Sequence, residues 1–127
     1  MQQYHKPHNK KVSAGTGGRR LKSKDKRLAH VGGVFTNTKV ADKDLRETKR
    51  GKGGSKRVKL KRAAFANVRD KKGKIVKTKI LSVVESHNPE FVRGNIITKG
   101  AVINTELGKV RVTNRVGQDG IVNGVVV

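Results

Sequence analysis

KIVKTKILSVVES, residues 74–86, is the stretch that decides the fold. Val76, Thr78 and Ile80 stand at alternate positions and share one face, while the lysines between them point the other way. This period of two predicts a long β-strand with one face turned toward a core.

A second candidate strand precedes this one and completes a hairpin. VKLKRAAFANV, residues 58–68, opens with apolar residues at alternate positions, and RDKKG, residues 69–73, has the composition of a turn. The two strands and their turn therefore predict a β-hairpin.

Short strands and turns continue to the end of the chain. Asn88-Pro89 interrupts the pattern and predicts a short helical turn through Phe91. The Asp-Gly of GQDG, residues 117–120, favours a tight turn that needs a positive φ. Further strands are predicted at 96–98, 101–104, 109–113 and 121–127. The fold class is therefore all-β, a small antiparallel β-barrel of about six strands with a long basic, largely irregular N-terminal extension.

Basic residues are concentrated in the first half of the chain. Residues 1–62 hold 20 Lys and Arg against four acids, whereas residues 63–127 hold 11 against five, for a formal net charge of +22. Such self-repulsion is relieved at low cost only by a polyanion, and a nucleic acid backbone is the leading candidate. We therefore expect a basic RNA-binding extension, residues 1–55, and a β-barrel domain, residues 56–127.

The extension itself divides into three segments. Residues 1–30, the basic arm, have no helical or strand period, and their composition predicts disorder in the free protein. Residues 31–40 are expected to be extended. In ADKDLRETKR, residues 41–50, Asp42 is a candidate N-cap for one or two helical turns.

Two glycine-rich basic segments carry the candidate binding chemistry. Glycine lets the backbone approach a phosphate closely, Arg grips phosphate with two N–H bonds, and Lys acts as a point charge. The second segment, residues 50–57, lacks the order and the following helix of a nucleotide-binding P-loop. The RNA-binding residues predicted from these patterns are Lys10, Lys11, Thr16, Gly17, Gly18, Arg19, Arg20, Lys22, Lys24, Lys26, Arg27, Lys39, Lys49, Arg50, Gly51, Lys52, Gly53, Gly54, Ser55, Lys56, Arg57, Lys59, Arg62 and Arg115.

Other kinds of site find little support in the sequence. There is no Cys, so disulfides and Cys-based metal sites are excluded. His5 and His8 are interpreted as solvated or phosphate-contacting residues, because Pro7 separates them and no acid lies near. We expect no catalytic residues, no metal and no cofactor. No membrane span or signal peptide is visible, which indicates a cytoplasmic protein.

Aromatic residues are few, and we expect Phe65 and Phe91 to lie in the core. Modules that read single strands usually stack bases on exposed aromatic side chains. The composition therefore favours recognition of the RNA backbone and RNA shape over base stacking.

Several motifs, in the same order, resemble those of a known family. These are NTKV at 37–40, RGKGGSKRVKL at 50–60, ANV at 66–68, ITKGAVI at 97–103, TELGKVRVT at 105–113 and GQDGIVN at 117–123. The chain is similar to the eukaryotic-type protein eight of the small ribosomal subunit, in its short archaeal form. The resemblance implies a β-barrel body bound to small-subunit ribosomal RNA, with a basic extension that threads into the RNA. One departure is Val116, which stands where the family usually has a proline.

These features bear on four possible functions. The first is a structural constituent of the small ribosomal subunit, whose partners are small-subunit ribosomal RNA and neighbouring ribosomal proteins, with no membrane and no small-molecule substrate. The second is a transient RNA-binding assembly factor or RNA chaperone, which the patterned β half disfavours. An RNA-modifying enzyme lacks a catalytic constellation. A duplex-DNA architectural protein fits the charge but not the resemblance.

Overall fold

A computed structural model of the protein describes residues 4–5, 15–18, 26 and 28–127. Most of the basic arm, for which the sequence predicts disorder, lies outside these described residues. The described part contains eight strands and two short α-helices, which are β1 (Lys39–Val40), β2 (Leu45–Arg50), β3 (Lys56–Ala63), β4 (Phe65–Arg69), β5 (Ile75–Glu85), α1 (Pro89–Arg93), β6 (Val102–Thr105), β7 (Gly108–Val112), α2 (Val116–Asp119) and β8 (Asn123–Val126).

Strands β4 to β8 form a closed barrel in chain order. Strands that follow one another in the barrel pair antiparallel, and the barrel closes where β8 pairs parallel with β4. Five strands that alternate in direction leave the first and the last running the same way, so the closing pair must be parallel. The predicted all-β barrel is confirmed, with one parallel pair that the prediction did not include.

The strand predicted at residues 58–68 is two strands in two different sheets. β3 ends at Ala63 and β4 begins at Phe65, with Ala64 fully buried between them. The Ala64 N–H donates to Asp44 Oδ1 at 2.7 Å, and its carbonyl accepts from the Ile80 N–H at 2.8 Å. A side-chain acceptor thus satisfies the backbone where the chain leaves one sheet for the other, which raises the strand number above the expected six.

A three-stranded sheet with the order β1-β3-β2 accompanies the barrel. β2 occupies part of the segment in which one or two helical turns were considered possible, and no helix forms there. The N-cap role assigned to Asp42 therefore fails. The segment has only one large apolar residue, Leu45, which is 51% exposed, so no apolar face supports a helix. Pairing with β3 satisfies its backbone instead.

The helical turn predicted at Asn88-Pro89 is confirmed, whereas most of the tight turn predicted at residues 117–120 belongs to helix α2, and one predicted strand does not form. Asn88 Oδ1 accepts from the Glu90 N–H at 3.0 Å and caps α1, which starts at Pro89. Gly120, after α2, has φ of 75°. Residues 96–98 form no strand; Ile96 forms an isolated β-bridge with Lys39 of β1, and the Ile97 N–H donates at 2.8 Å to the carbonyl of Thr38, just before that strand.

The core lies inside the barrel and extends under β3. Thr78 and Ile80 on β5 are buried, as their alternation predicted, whereas Val76, the third residue of the predicted face, is 41% exposed. The buried apolar side chains that pack together include Leu60, Val68, Ile80, Ile103, Val110, Val112, Val116 and Val122. Phe65 lies outside this core and is 40% exposed, so its predicted core position was wrong. Phe91 on α1 is half-buried.

The chain contains two compact units, residues 1–35 and residues 36–127. In the first unit the His5 N–H donates to His30 O at 2.8 Å, and Tyr4 forms a β-bridge with Val31. The second unit holds every strand named above, because β1 and β2 pair with β3. The boundary at residues 55/56 stays a prediction. Among the described residues, no helix is long and apolar enough to cross a membrane.

Candidate nucleic-acid interface

A basic β-hairpin is the most highly charged element of the structure. It consists of β2, the loop at residues 51–55 and β3, and we call it the basic hairpin. Over residues 45–63 it holds nine Lys and Arg against the single acid Glu47. The second glycine-rich segment is thus the tip of a paired structure with a fixed register.

Like charges face each other across the end of this hairpin. Lys49 is the cross-strand partner of Arg57, and Arg50 is the partner of Lys56. Like charges directly opposite each other on neighbouring strands are destabilising. Glu47 offsets only part of this repulsion, since its carboxylate lies 3.5 Å from Lys61 Nζ on the exposed surface. The free hairpin therefore holds unfavourable electrostatic energy, which an anionic partner would relieve.

Glycine geometry sets the shape of the tip. Gly53 and Gly54 have φ of 81° and 83°, in the left-handed region that other residues adopt only with strain. The Gly51 N–H donates to Ser55 O at 2.6 Å and closes the loop. The loop is consequently compact, and no other atom lies within 4 Å of the point where a Cβ would stand at Gly53 or Gly54, so the backbone is open at these two glycines.

Four hydrogen bonds hold the base of the hairpin in place. Arg46 Nη2 donates to Asp44 Oδ2 at 3.0 Å, and Arg46 Nε donates to Gly120 O at 2.8 Å. Asp44 also accepts from the Ala64 N–H, as described above. The buried Thr38 Oγ1 donates to Leu60 O at 2.7 Å on the neighbouring strand. The charged tip is thus carried on a rigid base.

The structure brings some of the predicted site residues together. Lys39 on β1 is the parallel partner of Arg62 on β3, and both are exposed beside the hairpin. Arg115 is exposed at the residue before α2. The hairpin itself contains Lys49, Arg50, Gly51, Lys52, Gly53, Gly54, Ser55, Lys56, Arg57 and Lys59.

The predicted residues of the basic arm are described only in part. Thr16, Gly17, Gly18 and Lys26 are exposed in the first unit, and the Gly18 N–H bonds Thr16 Oγ1 at 3.4 Å. The remaining predicted residues lie outside the described part of the chain, namely Lys10, Lys11, Arg19, Arg20, Lys22, Lys24 and Arg27.

Sequence reasoning missed a second basic surface on the outside of the barrel. Arg69, Lys77, Lys79 and Arg111 are exposed there on β4, β5 and β7. The alternation in β5 placed its lysines opposite the core. Only the strand pairing reveals that cations from three strands share one surface.

Within the described residues, no three His, Cys, Asp or Glu side chains come together to hold a metal ion. His8, part of the His5 and His8 pair considered above, lies outside the described residues. The geometry thus defines a basic β-barrel protein whose charged hairpin fits a polyanion.

Comparisons with known proteins identify the family. The family model described as Ribosomal protein S8e matches residues 6–127. A protein named small ribosomal subunit protein eS8 from Sulfolobus acidocaldarius is 49% identical over 110 residues, which cover 85% of this chain and 86% of the relative. Proteins of the same name from Staphylothermus marinus and Methanocorpusculum labreanum are each 44% identical, over 87% and 93% of this chain and 88% and 95% of the relatives.

The chain belongs to the ribosomal protein S8e family, in its archaeal-type form. This membership makes it a structural constituent of the small ribosomal subunit, not an enzyme, and places it at the ribosome in the cytoplasm. The resemblance found in the sequence is thereby confirmed.

Proposed function

We propose that this chain binds and stabilises small-subunit ribosomal RNA through phosphate contacts made by its glycine-rich basic arm and by the basic hairpin. The observation that carries the proposal is the pair of directly opposed like charges, Lys49 with Arg57 and Arg50 with Lys56, at the end of a glycine loop. A fold that served only its own stability would not keep these pairs, since they are destabilising in water.

The chemistry of the hairpin tip matches an RNA backbone. The guanidinium groups of Arg50 and Arg57 can each hold a phosphate through two N–H bonds, while the lysines add point charges. The left-handed glycines at 53 and 54 keep the backbone open to close approach. A groove of structured RNA brings phosphates from two strands near one another, which suits a narrow hairpin with cations on both strands.

Family membership adds the expected surroundings. The relatives are named as proteins of the small ribosomal subunit, and we infer the same location for the present chain. Its partners are then small-subunit ribosomal RNA and the ribosomal proteins that adjoin it.

The test is the salt dependence of binding to a small-subunit ribosomal RNA fragment. If 6–10 phosphates are neutralised, affinity should fall by about 10³–10⁵-fold between 50 and 200 mM salt. A large-subunit RNA fragment of equal length serves as the specificity control. Affinity that does not change with salt would refute the proposed phosphate contacts.

A transient assembly factor or RNA chaperone would show the same salt dependence. Unlike a structural constituent, however, it would not be part of the mature small subunit. Mature small subunits washed at high salt separate the two functions. A structural constituent stays with the subunit through washes that remove loosely bound proteins, whereas an assembly factor is absent from mature subunits.

A further inference from the structure

The outer surface of the barrel carries a patch in which an aromatic ring, two amides and several cations lie side by side. Strands β5, β4, β8 and β7 are neighbours there, in that order. Cross-strand partners point to the same side of a sheet, so Lys77, Asn67 and Asn123 form one row across three strands. We call this surface, together with the flanking Phe65, the outer barrel patch.

Phe65 is the unusual member of this patch. Its neighbours along β4, Ala66 and Val68, point inward and are buried, so Phe65 points outward and 40% of it is exposed. Lys77 Nζ lies over the ring, 4.6 Å from its centroid. A phenylalanine on the outside of a barrel leaves apolar area in water, and 40% of Phe65 stays exposed although Lys77 lies over its ring. The exposed ring is therefore available for stacking.

The two amides next to Phe65 have unused hydrogen-bonding capacity. Asn67 Nδ2 donates to Asn123 Oδ1 at 3.3 Å, which holds the two groups together across β4 and β8. Asn67 Oδ1 and the side-chain Nδ2 of Asn123 have no further hydrogen-bond partner among the described residues, while the Asn123 backbone N–H donates to Asn114 Oδ1. The acceptor Asn67 Oδ1 and the donor Asn123 Nδ2 thus lie next to each other on paired strands. The edge of a nucleobase offers the matching donor and acceptor groups. Residues two apart on a strand are separated by about 6.6 Å, so the width of a base spans Phe65 and Asn67.

Most of the charges around the patch are positive. The row next to the amides contains Arg69, Val125 and Arg111 on β4, β8 and β7. Lys79, opposite Phe65, is 3.6 Å from the carboxylate of Asp42, which is 93% exposed, so this ion pair is weak. These cations would attract phosphates on either side of a stacked base. A purely apolar protein partner would leave the same cations desolvated and unpaired.

We propose that the outer barrel patch binds one unpaired nucleotide of RNA, with the base stacked on Phe65, its edge bonded to the amides of Asn67 and Asn123, and its flanking phosphates held by Lys77 and Arg69. The inference rests on the proposed RNA-binding function and adds a base contact to it. It also revises the expectation that the chain recognises RNA without base stacking.

The experiment uses the full chain with Phe65→Trp, because the protein has no tryptophan of its own. Oligoadenylate, oligouridylate and an abasic backbone of the same length are the probes, at constant salt. Stacking should quench the fluorescence of F65W with both base-bearing oligomers and leave it unchanged with the abasic one. F91W is the matched control, since Phe91 is half-buried on α1, and its signal should not distinguish the probes.

Affinities measured with Phe65→Ala and Phe65→Leu complete the test. Stacking of one base implies a loss of about 5- to 150-fold for the base-bearing oligomers, with no loss for the abasic backbone and an unchanged salt slope. Asn67→Ala should weaken only the base-bearing oligomers. Equal quenching of F65W by base-bearing and abasic oligomers, or equal losses of affinity for both, would overturn the base contact while leaving phosphate binding intact. Failure of every probe and of ribosomal RNA to bind would instead overturn the proposed function together with this inference.

Discussion

Removing the charge at the hairpin tip should stabilise the free protein and weaken RNA binding at the same time. The variant K49Q/R50Q/K56Q/R57Q removes both opposed like-charge pairs and keeps the strand register. A cross-strand pair changes stability by about 0.2–1 kcal/mol, so two pairs predict a gain in the free energy of unfolding of about 0.4–2 kcal/mol. Loss of four phosphate contacts predicts a salt slope shallower by about 3, since each contact contributes about 0.7–0.9.

Two assays measure these opposite effects. Stability is measured by urea unfolding at low salt followed by circular dichroism, because guanidinium chloride would screen the repulsion. The slope is measured on a small-subunit ribosomal RNA fragment. With a slope shallower by 3, the loss of affinity between 50 and 200 mM salt should be about 60-fold smaller for the variant than for the unmodified chain.

A control variant carries the same change of net charge. K71Q/K72Q/K74Q/K99Q also lowers the formal charge of +22 by four, in loops outside the basic hairpin. Its salt slope should change by less than about 1. If the hairpin variant lost stability, or if both variants changed the slope equally, the hairpin would not be the phosphate-binding element and the reasoning would fail.

Two further predictions concern the frame that carries the hairpin. Asp44→Ala leaves the buried Ala64 N–H without its acceptor and should lower the free energy of unfolding by about 1–3 kcal/mol. The control Asp42→Ala, at a 93% exposed position, should change the free energy of unfolding by less than about 0.5 kcal/mol. Equal effects of the two variants in urea unfolding would show that the Asp44 bond does not fix the hairpin. Gly124→Ala places a Cβ against Val110 Cγ1 and 2.9 Å from Arg111 O, so it should destabilise the barrel by about 1–3 kcal/mol. In the control Gly33→Ala, the new Cβ meets no atom within 4 Å, and the free energy of unfolding should not change. A G124A variant as stable as the unmodified chain would contradict the observed packing of β8.

The sequence predicted the barrel because its signals there are local. Alternation in β5 follows from which side chains can be buried, and the Asn88-Pro89 and Asp119-Gly120 turns follow from capping and from glycine φ. The break at Ala64 was missed because it depends on Asp44, 20 residues away, which supplies the acceptor. The strand at residues 45–50 was missed for the same reason, since only the partner β3 makes it a strand.

The site was predictable in its composition and not in its pairing. Lys and Arg next to glycine indicated phosphate binding from the sequence alone. The facing of Lys49 with Arg57, and of Arg50 with Lys56, requires the register of two strands that a glycine loop joins. The exposed Phe65 was assigned to the core because an aromatic residue between alanines looks apolar in sequence, and only its alternation with Ala66 and Val68 turns it outward.

The central claim is that the hairpin and the arm contact ribosomal RNA directly, and a crosslink map tests it most directly. Small ribosomal subunits that contain this chain are irradiated, and the crosslinked peptides are identified by mass spectrometry. The account predicts RNA crosslinks at Arg50 and Arg57 in the hairpin and at Arg19 and Arg20 in the arm. A map with crosslinks elsewhere on the chain and none within residues 45–63 would contradict it.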